Sequence, residues 1–205
     1  MSAVTKRSMM AGVAALGATA AIAQTTSSPV RVAMQTDLGL ITLELAIDKA
    51  PITTANFLRY VDERRLDGAD FYRADKIGGS GDASTGLIQG GLQNHPEKIL
   101  APVAHESTLK TGLTHRDGVI SLARFAPGTA TCEFFICVGD QTYLDADPKA
   151  SGDNEGYAAF GRVIDGLNVV RKILAAPVSA TLGDGAMKGQ MLDPVVPILS
   201  TRRTA

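Results

Sequence analysis

The chain has no tryptophan, only two cysteines and only three histidines in 205 residues, and these scarcities limit the chemistry open to it. Cys132 and Cys137 form no Cys-x-x-Cys pair, which removes the dithiol redox motif. They bracket an apolar, extended-looking run, and their odd spacing aims them at opposite faces of a strand. At strand rise their Cα atoms would lie roughly 16 Å apart, well beyond the ~7 Å that a disulfide spans. Two thiols in or beside a core strand are therefore expected. His95, His105 and His115 recur every ten residues. That is neither the helical nor the hairpin spacing of metal motifs, so a metal enzyme is disfavoured even with Glu106 beside His105. No Gly-x-Ser-x-Gly elbow is present, and no Gly-Lys-Ser/Thr follows the glycines near residue 80. A serine hydrolase and a phosphate loop both lack their sequence basis.

Charge of either sign is also lacking in excess. Twenty Lys and Arg face 21 Asp and Glu, a net charge of −1. Nothing here favours nucleic acid or an anionic membrane surface as partner. The longest uncharged apolar stretch, residues 9–23, has 15 residues, short of the ~20 that a membrane-spanning helix needs. It follows Lys6-Arg7 and ends in Ala21-Ile22-Ala23, the small-x-small pattern of a cleavable signal. We therefore expect a signal peptide over residues 1–23, a mature chain from Gln24, a periplasmic or secreted location and no stable membrane association. The remaining residues 24–205 suffice for one domain with a real core, and a monomer is expected.

What is present is a series of short alternating segments. Residues 30–36 and 40–47 flank Asp37-Leu38-Gly39 as a hairpin, with Ile41, Leu43, Leu45 and Ile47 on one face. Further strands are expected near 69–73, 87–92, 119–124, 133–138, 157–163 and 195–200, the last with Pro197 at an edge or bulge. Pro51 opens a helix running to Arg64, with Ile52, Ala55 and Leu58 on its apolar face. Asp165 is placed to cap a second helix carrying Leu167, Val170, Ile173 and Leu174, which Pro177 stops. Residues 75–86, 93–114 and 145–155 read as loops. Many short strands, two helices and no repeat indicate a mainly β, closed antiparallel barrel with helices over its ends.

Set along these strands, in order, are Phe71-Tyr72-Arg73, Gln89-Gly90-Gly91, Ile120-Ser121-Leu122-Ala123-Arg124, Glu133-Phe134-Phe135-Ile136, Leu144-Asp145 and Phe160-Gly161. Alternation puts Glu133 and Phe135 on one face of their strand, with Phe134 and Ile136 on the other. These motifs, with Pro51 and Asn56-Phe57, resemble those of cyclophilin-type peptidyl-prolyl cis-trans isomerases, and the resemblance runs through nearly all of the mature chain. It implies an eight-stranded antiparallel barrel capped by two helices, no cofactor, and proline-containing polypeptides as substrates. It further implies that Arg73 is the catalytic donor to the proline nitrogen, that Gln89 orients it, and that Phe135 floors the proline pocket. Leu87 and Leu144 match apolar pocket positions, and Ala123 and Arg124 match the strand that pairs with the substrate backbone. Glu133, Tyr143 and Tyr157 complete the expected site, where the family more often has glutamine, tryptophan and histidine.

These departures, with Gly86-Leu87 in place of Phe-Met, imply a thinned pocket, reduced activity and weak cyclosporin binding. The alternative implied is a non-catalytic proline-peptide binder or chaperone accessory on the same barrel. A carboxylate at 133 has two expected partners. It either pairs with Arg73 and restrains it, or is neutralised by Arg124.

Overall fold

The computed structural model describes residue 1 and residues 29–77, 84–93 and 95–204. The expected leader and its cleavage point after Ala23 lie, Met1 apart, outside the described residues. Among the described residues eight strands form: β1 (Val30–Thr36), β2 (Gly39–Leu45), β3 (Ala69–Lys76), β4 (Gly86–Gly91), β5 (Val119–Leu122), β6 (Phe134–Val138), β7 (Ala158–Asp165) and β8 (Met191–Thr204). They close into an antiparallel barrel in the order β1-β2-β7-β5-β6-β4-β3-β8.

Period-2 alternation decides which side chains fill it. Ile41, Leu43 and Leu45 of β2, Phe71 of β3, Phe134 and Ile136 of β6 and Phe160 of β7 all enter one continuous core. Phe134 packs edge-on against Phe57 and Phe71, at centroid distances of 5.8 and 5.6 Å. Each such fully buried side chain contributes about 1.5–3 kcal/mol of transfer free energy. Cys132 lies in this core whereas Cys137 lies in a separate outer cluster, and both are free thiols, as the odd spacing requires.

Helix α1 (Pro51–Asp62) packs against β7 and β8, and its Phe57, Leu58 and Val61 join the core. Its start has no side-chain cap of its own. Instead Glu106, from a distant loop, accepts hydrogen bonds from the Ile52 and Thr53 backbone N–H groups at 3.2 and 2.7 Å. A carboxylate at a helix N-terminus satisfies orphan donors and complements the dipole. Glu106 thus belongs to the fold.

The expected 93–114 loop contains a one-turn helix, α2 (Thr108–Thr111), capped by the Ser107 hydroxyl at 3.4 Å from Leu109 N–H. One turn is too short to show a period. Helix α3 (Leu167–Ala175) buries Val169, Val170, Ile173 and Leu174 against the barrel. Asp165 does not cap it: Gly166 stands at the N-cap with φ 86°, and Asp165 accepts from the Gly166 N–H at 2.8 Å instead. The side chain there would meet the Leu40 carbonyl at 2.2 Å, so only glycine fits.

Strand β8 is longer than its alternation suggested because Pro194 and Pro197 interrupt the pattern. It closes the barrel, pairing with β1 on one side and β3 on the other, and its register against β1 shifts between Gln35 and Thr36. The bulge expected near Pro197 is therefore present, but on a strand paired on both sides.

Candidate active site

The outer face of β4 and β6, with neighbouring connections, carries a second apolar cluster: Leu87, Phe135, Cys137 and Leu144, with Ala123 and Tyr157 against it. Outward apolar residues on a barrel need a cover or a ligand. Here all but the fully buried Cys137 line a groove of about 710 Å³. All ten residues singled out from the sequence border it: Arg73, Leu87, Gln89, Ala123, Arg124, Glu133, Phe135, Tyr143, Leu144 and Tyr157.

Phe135 is 3% exposed and fixed from two sides. His115 stacks on it at 5.8 Å and 16°, and Tyr157 meets it edge-on at 5.3 Å. His115 is itself held in a line. Its Nδ1 donates to Asp145 at 2.6 Å, and its Nε2 accepts from the Ser121 hydroxyl at 2.9 Å. Burial pushes the His115 pKa down against the pull of Asp145, so the ring is neutral. Serine, histidine and carboxylate in line resemble a nucleophile triad, but Ser121 is fully buried and no substrate carbonyl can approach it. The line supports Phe135 from behind.

Arg73 stands at the other side of the groove. Its strand carries a bulge between Phe71 and Arg73, so Phe71 points into the core while both Tyr72 and Arg73 face the groove. Among the described residues each guanidinium nitrogen has one acceptor: Nε donates to Gln190 at 2.7 Å, Nη1 to Gln89 at 2.8 Å and Nη2 to Asp75 at 3.1 Å. Gln190 also donates to Asp75 at 2.9 Å, closing a ring of three side chains. A guanidinium has five N–H donors, so one on each terminal nitrogen remains for a ligand. The Arg73 side chain is 17% exposed, enough to be reached yet shielded from bulk water.

Glu133 pairs with neither arginine. Its carboxylate accepts from the Tyr72 hydroxyl at 2.5 Å, the Leu92 N–H at 2.8 Å and the Cys132 thiol at 3.5 Å. Burial raises its pKa, which these hydrogen bonds only partly offset. Both expected pairings of Glu133 are corrected, the first because Tyr72 stands between it and Arg73. Arg124 is committed elsewhere. It makes a two-point pair with Asp153 at 2.7 and 2.8 Å, donates from Nε to the Gly156 carbonyl at 2.9 Å, and lies 5.3 Å from the Tyr157 ring.

Ala123 and Arg124 lie just beyond the end of β5. The Ala123 N–H is already used on the Glu133 carbonyl at 2.8 Å, so it continues the β5–β6 ladder rather than offering a donor to substrate. Tyr143 is 65% exposed and Phe125 95% exposed, giving the groove two apolar rims. Leu87 and Leu144 are buried beside Phe135.

Sequence reasoning did not find Tyr72, Asp75 or Gln190. Asp75 follows Arg73 by two on the same strand, and period-2 alternation points to it. Gln190 is 117 residues from Arg73 and carries no such signal. Its backbone carbonyl accepts from Ala74 N–H at 2.9 Å, which brings the amide to the arginine. Among the described residues no group of three His, Cys, Asp or Glu converges to hold a metal ion. His105 instead bonds the Glu155 carbonyl at 3.0 Å.

Comparison with known proteins places this geometry in context. The family model for cyclophilin-type peptidyl-prolyl cis-trans isomerases matches residues 31–202, all of the barrel but its terminal residues. A peptidyl-prolyl cis-trans isomerase of Acinetobacter baylyi is 39% identical over 72% of this chain and 73% of its own length. One from Streptomyces antibioticus is 34% identical over 82% of this chain and 93% of its own. A Cryptosporidium parvum cyclophilin crystal structure superposes with a TM-score of 0.65 at 18% identity, covering 87% of this chain and 99% of that one. A further structure of that protein, determined in the presence of the dipeptide Ala-Pro, superposes with a TM-score of 0.66 at 20% identity, covering 85% of this chain and 99% of that one. By the match along the barrel and by these relatives, the chain belongs to the cyclophilin-type peptidyl-prolyl cis-trans isomerase family of enzymes.

Proposed function

We propose that this groove accelerates rotation about Xaa-Pro bonds in polypeptides, with Arg73 as the catalytic donor to the proline nitrogen. The amide bond resists rotation because the nitrogen lone pair is delocalised, with a barrier of about 18–20 kcal/mol. As the bond twists, the lone pair localises on nitrogen and becomes an acceptor. A donor aimed there stabilises the twisted state more than either planar isomer, and that difference is what catalysis requires. Phe135, Leu87 and Leu144 offer the ring an apolar seat. A seated ring excludes water and strengthens the charged hydrogen bond beside it.

One observation carries the reading. Arg73 is clamped by Gln190, Gln89 and Asp75 at the edge of an apolar groove, with two N–H groups to spare. Fixed donors need no reorganisation in the transition state. Asp75 offsets part of the positive field while holding the guanidinium in place.

Exchange spectroscopy on Xaa-Pro peptides tests this with wild type beside Arg73→Ala. Peptide binding with no enhanced exchange in the wild type would leave the groove a proline-peptide binder. The Ala-Pro dipeptide present with the Cryptosporidium protein supports proline peptides as the ligand class. The protein acts after export, as a monomer, following cleavage after Ala23.

A further inference from the structure

Behind Arg73 runs a chain of hydrogen bonds that the proposed reaction does not itself use. Gln89 Oε1 accepts from Arg73 at 2.8 Å, and Gln89 Nε2 donates to the Tyr72 hydroxyl at 2.8 Å. Tyr72 in turn donates to Glu133 at 2.5 Å. A carboxylate only accepts and a guanidinium only donates, so both ends of the chain have fixed polarity. Between them lie a hydroxyl and an amide, either of which can be reversed.

We propose that Glu133 and Tyr72 are positioning residues that set the direction of this chain and thereby hold the Gln89 carbonyl toward Arg73. The proposal rests on the reading of Arg73 given above. With a carboxylate at 133, Tyr72 must donate to it. The Tyr72 oxygen is then free to accept from Gln89 Nε2, which leaves Gln89 Oε1 for Arg73.

An amide at 133 would reverse the order. The Leu92 N–H, fixed by the backbone, already takes one Glu133 oxygen at 2.8 Å. A glutamine would place its only oxygen there and present its NH₂ to Tyr72. Tyr72 would then donate to Gln89, whose own NH₂ would turn toward Arg73, donor against donor.

The backbone is shaped for the carboxylate. A Cβ at Gly91 would lie 2.6–2.7 Å from the Glu133 carboxyl atoms, and Gly91 has φ 151°. The second glycine of Gln89-Gly90-Gly91 therefore makes the seat for Glu133, a role its place in the motif does not reveal. The groups facing Glu133 are the Tyr72 hydroxyl, the Leu92 N–H and the Cys132 thiol, all donors. Among the described residues no cation pairs with it.

The test is a double-mutant cycle on the full chain with exchange kinetics and NMR of the Arg73 guanidinium and Gln89 amide. Glu133→Gln and Tyr72→Phe keep shape and should each lower kcat/KM about threefold to tenfold, the range of one hydrogen bond, with KM nearly unchanged. Both should shift the Arg73 nitrogen signals. With Gln89→Ala already present, neither should add a further loss, because the chain is already cut. Losses that add to that of Gln89→Ala, a gain in activity from Glu133→Gln, or unmoved Arg73 signals in both variants would overturn the proposal. An inert Arg73→Ala would sink the reading of Arg73 as donor, and the guanidinium signals alone would then decide the relay.

Discussion

Removing the guanidinium of Arg73 separates chemistry from folding, and the structure sets the size of both effects. Arg73→Ala deletes a charged donor facing the groove. Hydrogen bonds to charged groups are worth about 1.5–3 kcal/mol, and each 1.36 kcal/mol is tenfold in rate. The expected loss in kcat/KM is therefore about tenfold to a hundredfold. The fold should barely notice. Gln89, Gln190 and Asp75 lose a partner, but all are partly exposed at the groove and water can replace it. The Arg73–Asp75 ion pair, with side chains 17% and 23% exposed, contributes on the order of 1 kcal/mol or less. That corresponds to a Tm shift of about 2–4 °C in a domain of this size.

Arg73→Lys sharpens the point. It keeps the charge but has one nitrogen, which cannot meet Gln190, Gln89, Asp75 and a substrate together. It should recover only part of the activity. The assay is line-shape or exchange NMR on an Ala-Pro peptide, with a thermal melt on the same samples. Activity within twofold of wild type in Arg73→Ala would refute the donor role. A large Tm drop parallel to the activity loss would show that Arg73 acts through stability instead.

Three further outcomes are expected. His115 has a folded pKa depressed below 6.5 by burial, so the unfolded chain binds the proton more readily. Its stabilising contribution is complete above pH 6.5 and is lost as pH falls from there through the folded pKa, and urea midpoints for wild type and His115→Gln should show that extra acid slope only in the wild type. Glu106→Ala leaves the Ile52 and Thr53 N–H groups unsatisfied at the start of α1 and should cost about 1–2 kcal/mol in urea denaturation, with kcat/KM unchanged once folded. N-terminal sequencing of protein from its native host should begin at Gln24, and a full-length chain starting at Met1 would end the export reading.

Much of this architecture was legible because a barrel writes its two faces into period 2. Residues 30–36 alternate apolar with mixed residues, and β1 has those bounds. Where the period failed, the reading failed with it. Pro194 and Pro197 hid most of β8, and α2 is a single turn. The site was legible because its motifs lie on or beside strands that the topology makes neighbours: β3 pairs with β4, β4 with β6, and β6 with β5. Gln190 was illegible because it arrives on a loop, by one backbone hydrogen bond to Ala74.

Glu133 misses its two expected partners for two separate reasons, a bulge in β3 and a competing carboxylate. Strict alternation along 71–73 would turn Tyr72 away from any face that Phe71 and Arg73 share. The bulge at Tyr72 breaks that rule and sends Tyr72 and Arg73 outward together. A tyrosine hydroxyl then occupies the space through which Glu133 would have reached the guanidinium. The same bulge lets a carboxylate stand close to Arg73 without pairing with it. Arg124, the other expected partner, is drawn off by Asp153 and the Gly156 carbonyl. A negative charge at 133 is thus compatible with a free face on Arg73, and the change from glutamine need not lower activity. The exposed Tyr143 is a different matter. It is a smaller rim than tryptophan and covers the groove less, so the penalty in this chain should fall on KM for peptide before it falls on kcat.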